Sequence, residues 1–474
     1  MADVLTPDIC VIGGGSGGLS VAAAAAAFGV PVVLVEKDRM GGDCLNTGCV
    51  PSKALLAAAK RAEHMRASDP FGVTAHNATV DFRKVHDHVH RVIAAIAPVD
   101  SVERFTGLGV RVIKAEARFK DAQTVIAGDI EIRARRFVVA TGSRAAVPPI
   151  PGLDSVPYLT NENVFELTEL PEHLLVIGGG PIGLELAQAF RRLGSDVTVL
   201  EALQPLAKDD PECAAIVLDS LADDGVTIRA GVKVVRVGRN GGKIAATISA
   251  DGKEETVEGS HLLVAAGRKA VTDGLNLEAA GIKTNRAGVV TDAGLKTSNA
   301  RVYAVGDAAG RLQFTHAANY HAGIVIRNAL FRLPAKVKDD AVPWVTYTDP
   351  ELAQTGITEA EARKRGIKIR ILRWPYHDND RAQAERQTQG HIKVVTDKRG
   401  TILGATIVGA EAGELITTWT LAISQRLNIR AFTGIVVPYP TLSEIGKRAA
   451  IDYFAPSLTN PWVRRIIRWL RVFG

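Results

Sequence analysis

Two cysteines lie close together in the segment GGDCLNTGC, which occupies residues 41–49. Four residues separate Cys44 from Cys49, and Gly48 supplies a permissive turn, so a small disulfide ring can close. The pattern of residues 54–67 predicts a helix, which would place Cys49 near a helix N-terminus where exposed amides favour a thiolate. A thiol of low pKa with a close partner is suited to reversible dithiol chemistry.

Two other interpretations of this cysteine pair are a structural disulfide and half of a zinc site. A zinc site would need further cysteine or histidine ligands at short spacing, and none follow. The sequence around the pair therefore favours the redox interpretation.

The elements before the cysteines form a nucleotide-binding fingerprint. An apolar strand leads into Gly13-x-Gly15-x-x-Gly18, an alanine-rich helix follows, and a second strand ends at Glu36. The glycines allow the backbone to approach a pyrophosphate, the helix N-terminus receives the phosphates, and the acid binds the ribose hydroxyls. Strand, turn, helix, strand and acid occur in order, which makes the signal stronger than three glycines alone.

A second fingerprint has the same order, with Gly178, Gly180 and Gly183 followed by a strand that ends at Glu201. An acid at this place suits the free 2′-hydroxyl of NAD, whereas a 2′-phosphate would prefer an arginine. Residues 202–205 contain no arginine, so the sequence favours NADH over NADPH.

With these motifs the chain resembles the flavin-dependent pyridine nucleotide–disulfide oxidoreductases, which include dihydrolipoamide dehydrogenase, glutathione reductase and mercuric reductase. The resemblance covers about residues 6–454. Further matching segments are VVATGS at 138–143, VAAGR at 264–268, VYAVGD at 302–307, TDPELA at 348–353 and PTLSE at 440–444. It implies an α/β fold with two Rossmann-like domains, for FAD and NAD, and an α+β C-terminal dimerisation domain in a homodimer.

The motifs also place the expected domain boundaries. The first FAD-binding segment is expected at residues 1–150 and the NAD(P)-binding domain at 151–273. The FAD domain resumes at 274–341, the dimerisation domain spans 342–454, and a basic tail occupies 455–474. A chain of 474 residues with 46% hydrophobic content is long enough for several such cores.

The resemblance implies that electrons pass from NADH through FAD to the disulfide, with Cys49 next to the flavin and Cys44 as the interchange thiol. Lys53 and Glu185 are expected to pair near the flavin; an ordinary surface acid is the alternative for Glu185. The remaining residues expected to bind the two cofactors are Gly13, Gly15, Ser16, Gly18, Glu36, Lys37, Gly42, Thr141, Gly142, Gly178, Gly180, Ile182, Gly183, Glu201, Gly267, Arg268, Gly306 and Asp307.

One position departs from the family pattern. Tyr439 occupies the place where lipoamide and glutathione enzymes have a histidine that works with a glutamate, here Glu444. A phenol has a free pKa of about 10 and is a poor base at neutral pH, so exchange with a dithiol substrate should be slow. Glu444 is then expected to bond the backbone or Tyr439.

Mercuric reductases also carry a tyrosine hereabouts, and metal–thiolate chemistry does not need the base. They have a vicinal cysteine pair near the C-terminus as well, whereas no cysteine follows Cys213 here. The chain thus lacks a hallmark of each of these two activities. The predicted function is a mercuric-reductase-like oxidoreductase with an unidentified acceptor, which is a small disulfide, a metal–thiolate or a quinone-type molecule. The alternatives are dihydrolipoamide dehydrogenase and a membrane-tethered flavin redox sensor.

Three histidines, His86, His88 and His90, invite a metal interpretation because His86 and His90 share a helix face. With no acid or cysteine partner evident in the sequence, a polar helix face or packing against the flavin side is expected, and no metal site is predicted. Cys10 lies inside the first strand and is expected to be a buried small hydrophobe.

Residues 461–474 form an amphipathic pattern in which four arginines oppose tryptophan, aliphatic and phenylalanine side chains. This pattern suits an anionic membrane surface, and docking on the enzyme's own dimer is the alternative. Four cysteines, no N-terminal targeting pattern and no long apolar run predict a cytoplasmic protein, with peripheral contact on the inner membrane face if the tail binds lipid. Outside this tail the sequence contains no basic stripe with interleaved aromatic residues, so nucleic acid binding is not predicted.

Overall fold

The computed structural model describes residues 3–75 and 79–474. Its strands are β1 (Asp3–Leu5), β2 (Ile9–Ile12), β3 (Val32–Glu36), β4 (Val110–Lys114), β5 (Ala117–Asp121), β6 (Thr124–Ala127), β7 (Ile130–Ile132), β8 (Arg136–Val139), β9 (Ser143–Ala145), β10 (His173–Ile177), β11 (Asp196–Glu201), β12 (Thr227–Ala230), β13 (Lys233–Asn240), β14 (Lys243–Ala250), β15 (Lys253–Gly259), β16 (His261–Val264), β17 (Arg268–Ala270), β18 (Thr284–Asn285), β19 (Gly288–Val289), β20 (Val302–Ala304), β21 (Trp344–Thr346), β22 (Glu351–Gly356), β23 (Ile369–Pro375), β24 (His391–Asp397) and β25 (Ile402–Gly409).

The helices are α1 (Ser16–Ala27), α2 (Gly42–Asn46), α3 (Cys49–Arg66), α4 (Phe82–Ile96), α5 (Val102–Gly107), α6 (Pro181–Leu193), α7 (Pro211–Asp223), α8 (Thr315–Ala329), α9 (Glu359–Lys364), α10 (Asp380–Ala384), α11 (Ala412–Ser424), α12 (Arg430–Gly434), α13 (Glu444–Asp452), α14 (Ala455–Leu458) and α15 (Pro461–Leu470). The described chain separates into two compact units. One extends as far as residue 202 and includes 229–338, and the other comprises 203–228 and 339–474.

The first unit contains a parallel sheet in the order β20-β8-β2-β3-β4. Strand β2 is buried at every position because helices and loops cover both faces of the sheet. Ile9 and Val11 belong to a core cluster that includes residues of α1 and α8, while Cys10 and Ile12 belong to a cluster with Phe137 of β8. The prediction that Cys10 is a buried hydrophobe is confirmed.

The first unit also repeats the parallel arrangement around the second fingerprint, where β11 and β16 flank β10. Helix α6 follows β10, as α1 follows β2, and the antiparallel sheet β13-β14-β15 comes later in the chain. The predicted pair of Rossmann-like folds is therefore confirmed. The exact domain boundaries were placed on motifs and stay a prediction.

The second unit is built on an antiparallel sheet in the order β21-β22-β25-β24-β23. Its core includes Tyr376 and Trp419, and Trp419 stacks on Phe432 with ring centroids 4.0 Å apart. This mixture of antiparallel sheet and helices confirms the predicted α+β class of the C-terminal domain. Across residues 3–75 and 79–474, no helix combines the length and apolar character needed to span a bilayer.

Candidate functional site

The two cysteines lie on adjacent helices held against the first fingerprint loop. Cys44 is in α2 and Cys49 is the first residue of α3, as the sequence predicted. The amide of Gly41 donates to the carbonyl of Gly14 at 2.9 Å, and a Cβ on Gly42 would lie 2.7 Å from the Cα of Gly15. The cysteine loop and the phosphate-binding loop therefore contact each other directly.

Gly48 lies between the two cysteines, where the sequence analysis expected a glycine to permit the turn. A Cβ there would lie 2.9 Å from the carbonyl oxygen of Asp43. Close packing of the loop between the two cysteines therefore requires a glycine at this position.

The environment of Cys49 favours the thiolate. A hydrogen bond from Cys44, the hydroxyl of Thr315 and the charge of Lys53 together lower the pKa of Cys49 to about 6, although partial burial opposes them. The Thr315 oxygen lies 3.4 Å from the sulfur. The same pairing raises the pKa of Cys44, because its proton is held by the Cys49 sulfur. The pair therefore has one ionised thiol and one protonated thiol near neutral pH.

Lys53 and Glu185 form the ion pair that the resemblance implied. Lys53 Nζ lies 2.8 Å from Glu185 Oε2, and the carboxylate side chain is only 6% exposed. The alternative of an ordinary surface acid at Glu185 is therefore wrong. The buried carboxylate of Glu185 needs such a partner, because an isolated charge is costly to bury.

A second network connects the cysteine loop to the predicted FAD residues. Arg268 Nη2 donates to Asp43 Oδ2 at 2.9 Å, and Arg268 Nε donates to the hydroxyl of Ser143 at 2.7 Å. Ser143 in turn donates to Asp307 at 2.5 Å. Burial raises the pKa of Asp307 above its ordinary value, while the Ser143 hydrogen bond opposes that shift. Asn161 also donates to Asp43 at 2.9 Å, so the residue before Cys44 is fixed from two sides.

The two fingerprints have the geometry that a dinucleotide requires. A Cβ on Gly18 would lie 1.9 Å from the carbonyl oxygen of Gly13, and one on Gly183 would lie 2.1 Å from that of Gly178. Such close approach leaves a cradle of backbone amides at each helix start. The carboxylate of Glu36 accepts from the amide of Gly14 at 2.5 Å.

Glu201 repeats this contact in the second fingerprint, where it accepts from the amide of Gly179 at 2.6 Å. Both acids therefore stand at the end of the second strand, beside the glycine turn, where ribose hydroxyls are bound. These residues fit FAD and NAD. FAD supplies the chemistry that connects a nicotinamide hydride to a disulfide.

The remaining predicted cofactor residues lie in the first unit with varied contacts. Thr141 donates to the carbonyl of Val271 at 2.6 Å, and Lys37 makes an exposed ion pair with Glu116 at 3.6 Å. Ile182 is 38% exposed at the start of α6. Left-handed backbone at four glycines explains why no other residue suits these turns: Gly42, Gly142, Gly267 and Gly306. Gly15 and Gly180 are the N-cap residues of α1 and α6, and the carbonyl of Ser16, the first residue of α1, accepts from the hydroxyl of Ser20.

Tyr439 and Glu444 lie in the second unit. Tyr439 is 70% exposed, and its hydroxyl donates to Asp380 at 2.7 Å. Of the two partners expected for Glu444, the backbone is the one observed, since its amide donates to the carbonyl of Thr441. The hydrogen bond to Asp380 and its charge raise the pKa of Tyr439. At neutral pH the phenolate, which is the basic form, is therefore even scarcer than it is for a free phenol.

Two residues with evident roles in the site escaped prediction from the sequence: Thr315 and Asn161. Each lies far along the chain from the group that it contacts. His321, which follows the Gly306–Asp307 motif closely in sequence, is buried and accepts from the amide of Gly306. Local sequence carries no signal for such contacts, although Thr315 and His321 share the helix that follows the Gly306–Asp307 motif.

Comparison with known proteins agrees with this geometry. Residues 7–322 match the pyridine nucleotide-disulphide oxidoreductase family, and residues 342–450 match its dimerisation domain. A mercuric reductase of Bacillus cereus is 36% identical over 450 residues, covering 94% of this chain and 71% of the relative. A dihydrolipoyl dehydrogenase of Geobacillus stearothermophilus is 36% identical over 449 residues, covering 93% of this chain and 94% of the relative.

A solved structure with a similar fold is the Cu(II) complex of the HOCl-induced flavoprotein disulfide reductase RclA from Escherichia coli. It superposes with a TM-score of 0.84 at 28% identity and covers 93% of this chain and 98% of that chain. The chain therefore belongs to the pyridine nucleotide-disulphide oxidoreductase family. It is a flavoprotein oxidoreductase that uses FAD and NAD(P)H, and its dimerisation domain supports a homodimer.

Proposed function

We propose that this enzyme uses NADH to reduce the Cys44–Cys49 disulfide and passes the electrons to a metal ion bound by the two thiols, such as Hg(II) or Cu(II). The environment of Tyr439 carries this proposal. Exchange with a dithiol substrate needs a base at that position, and a phenol bound to Asp380 with a raised pKa does not supply one. Metal reduction needs no such base.

The cysteine pair also suits a metal acceptor. Soft thiolate ligands bind Cu(I) and related ions, and only the deprotonated sulfur binds metal. With a pKa of about 6, Cys49 offers a thiolate at neutral pH. One NADH provides two electrons, which reduce one Hg(II) to Hg(0) or two Cu(II) to Cu(I). The Bacillus cereus relative is named a mercuric reductase, and the RclA structure is named as a Cu(II) complex.

The proposed roles of the site residues follow from their contacts. Cys44 is the interchange thiol, Cys49 is the thiol next to the flavin, and the Lys53–Glu185 pair places a cation beside Cys49. Glu201, with no arginine at residues 202–205, supports NADH over NADPH.

The first experiment measures NADH oxidation by the purified enzyme with thiol-ligated Hg(II), Cu(II), lipoamide, glutathione disulfide and a soluble quinone. We expect metal-dependent turnover that Cys44→Ser abolishes, and weak turnover with both disulfides. Tyr439→His should raise lipoamide turnover roughly 10²-fold or more by restoring the base, and Tyr439→Phe should not. Strong lipoamide turnover by the wild type would instead assign the enzyme as a dihydrolipoamide dehydrogenase.

We also propose that the helix α15 and the residues after it lie on an anionic membrane surface, at the inner face of the cytoplasmic membrane. Five large apolar side chains are between 51% and 72% exposed: Trp462, Ile466, Trp469, Leu470 and Phe473. Four arginines on the same short segment provide the complementary charge: Arg464, Arg465, Arg468 and Arg471.

Sedimentation with phosphatidylglycerol vesicles, compared with neutral phosphatidylcholine vesicles, tests this second proposal. The full chain should sediment with the anionic vesicles, and a chain without residues 461–474 should stay in the supernatant. Equal binding by both chains would contradict the proposal. A truncated chain that no longer forms a dimer would assign the tail to the dimer instead.

A further inference from the structure

A cluster of metal-ligating side chains lies away from the dithiol. In the described part of the first unit, His86 and His90 of α4 approach Glu166, which ends a short 3₁₀ turn at Val164–Glu166. One ligand atom from each of the three residues lies within 4.8 Å of the others. The acid that the local sequence did not offer is therefore supplied by a distant segment.

The two imidazoles are arranged as a pair. Their spacing of four residues places both on one face of α4, and their ring centroids are 4.2 Å apart. The side chain of His86 is 19% exposed and that of His90 is 34% exposed, so both rings are partly shielded while the Glu166 carboxylate remains open to solvent. A cation could reach the cluster from solvent.

Neighbouring groups orient the ring nitrogens. His86 Nδ1 lies 3.1 Å from Asp87 Oδ1, which leaves Nε2 of that ring for another partner. A carboxylate on the second ring nitrogen is the usual support of a metal-binding histidine. His90 Nε2 lies 3.2 Å from the carbonyl oxygen of Phe165 and 3.8 Å from Glu166 Oε2.

The spacing of these atoms is close to that of a coordination sphere. Two ligand atoms bound at about 2.0–2.1 Å from a tetrahedral metal are roughly 3.4 Å apart. Side-chain rotations that move the ligand atoms by on the order of 1 Å would therefore bring them to coordination distance. We propose that His86, His90 and Glu166 form a binding site for a divalent transition metal of the Zn²⁺ and Cu²⁺ class, with water completing the sphere. Two imidazoles and one carboxylate match the ligand preference of these ions and not that of Mg²⁺ or Ca²⁺.

The site has a structural consequence for the dithiol. Glu166 belongs to the segment that also carries Asn161, and Asn161 donates to Asp43 and to the carbonyl of Thr47, on either side of Cys44. A bound metal would join α4 to this segment and thereby stiffen the support of the cysteine loop. The proposal does not depend on which acceptor the dithiol reduces.

Isothermal titration with Zn²⁺ tests the site in the flavin-loaded full chain. Cys44→Ser and Cys49→Ser are both introduced so that the dithiol cannot bind the ion. In this background we expect one Zn²⁺ per chain and a rise in Tm on Zn²⁺ addition. His86→Ala, His90→Gln and Glu166→Gln should each weaken binding roughly 10- to 100-fold or more. Cu²⁺ in place of Zn²⁺ should give an electron paramagnetic resonance spectrum with coupling to two nitrogens, reduced to one in His86→Ala.

His88→Ala is the matched control, since His88 lies on the same helix outside the cluster. It should bind Zn²⁺ like the parent. Unchanged affinity in the His86→Ala, His90→Gln double variant, or equal weakening by His88→Ala, would overturn the proposal. Glu166→Gln replaces an exposed carboxylate and should not disturb folding. If a histidine variant is unstable, the Zn²⁺ affinity of Glu166→Gln therefore tests the proposal, and an unchanged affinity would overturn it.

Discussion

At the scale of single residues, the chemistry of this enzyme depends on what surrounds Cys49. Three groups favour ionisation of the thiol at the start of α3: Cys44, Thr315 and Lys53. Cys44 and Lys53 are close to Cys49 in sequence, whereas Thr315 is 266 residues away. A helix N-terminus by itself lowers a thiol pKa, and direct hydrogen bonds add to that effect. The reactive form of the pair is therefore determined by contacts of single side chains.

Thr315→Val should raise the pKa of Cys49 from about 6 toward the ordinary range of a thiol, because the hydroxyl that stabilises the thiolate is lost. A lowered pKa means that the thiolate persists down to about pH 6, so the variant should need a higher pH for the same reactivity. The pH dependence of iodoacetamide alkylation, mapped to Cys49 in the reduced enzyme, measures the shift. Thr315→Ser keeps the hydroxyl and should titrate like the wild type; identical midpoints for Val and Ser would contradict the assignment.

Lys53→Met should slow the NADH-dependent appearance of the two thiols by about 10- to 100-fold. The variant removes a cation beside the thiolate and leaves the buried Glu185 without its partner at 2.8 Å. Thiols formed after NADH addition are counted with Ellman's reagent over time. Arg61→Met removes an exposed cation from the same helix and should keep the wild-type rate; equal slowing in both variants would indicate a general effect of charge on α3.

At the scale of elements, the two fingerprints are separate copies of the same strand–glycine turn–helix motif. In each, a strand ends at a glycine turn and the following helix begins so close to the strand that a side chain cannot fit. The cysteine loop contacts the glycine turn of the first copy through Gly41 and Gly42. Lys53, one turn beyond Cys49, pairs with Glu185 on the helix of the second copy. The dithiol segment therefore contacts both fingerprints.

Gly18→Ala and Gly183→Ala should have different consequences. Each new methyl group would lie about 2 Å from a carbonyl oxygen, of Gly13 or Gly178, so the turn must shift. We expect Gly18→Ala to purify with much less FAD, whereas Gly183→Ala should keep its FAD and bind NADH at least tenfold more weakly. Flavin absorbance and NADH titration measure the two effects.

Gly107→Ala is the control for these substitutions, because a Cβ there meets nothing within 4 Å. It should keep both cofactors. Loss of FAD from both Gly18→Ala and Gly183→Ala would mean that the second fingerprint is not specific for the nicotinamide nucleotide.

At the scale of the whole molecule, the second unit is stabilised by charges as well as by its apolar core. Lys393 is 5% exposed and lies 2.7 Å from Asp210, 3.0 Å from Glu212 and 2.9 Å from Glu359. These acids come from α7, its N-cap and α9, so one lysine of β24 joins segments far apart in sequence. A buried cation with three carboxylates is costly to break.

Lys393→Met should lower the free energy of unfolding by about 3–5 kcal/mol, because it leaves carboxylates without their cation. Urea unfolding at pH 7, followed by tryptophan fluorescence, measures the change. Lys398→Met alters an exposed lysine next to the same strand and should have little effect. Equal stability of the two variants would contradict a structural role for the network.

The same network predicts an acid-sensitive contribution to stability. Arg373 and Lys393 lower the pKa of Glu212 to about 2, against about 4.3 for a free glutamate. Its contribution is therefore fully present above about pH 4.3 and is lost as the pH falls toward 2. The loss on acidification should be smaller in Glu212→Gln than in the wild type.

The sequence by itself determined the family, the two dinucleotide folds and the cysteine pair. Glycine spacing, apolar strands and terminal acids are local patterns that extend over about 30 residues. Because backbone geometry requires each of them, they can be recognised in the sequence alone. The Lys53–Glu185 pair was predicted only because the resemblance placed both residues on known elements.

The tertiary structure alone decided which distant side chains meet. Thr315 against Cys49, Asn161 against Asp43, Asp380 against Tyr439 and Glu166 against two histidines all join segments between 59 and 266 residues apart or on separate elements. No periodicity or motif encodes such contacts, because they depend on how strands are ordered and helices packed. These contacts set the protonation of the thiols and of Tyr439. They also bring the proposed metal ligands His86, His90 and Glu166 together from segments that are distant in sequence.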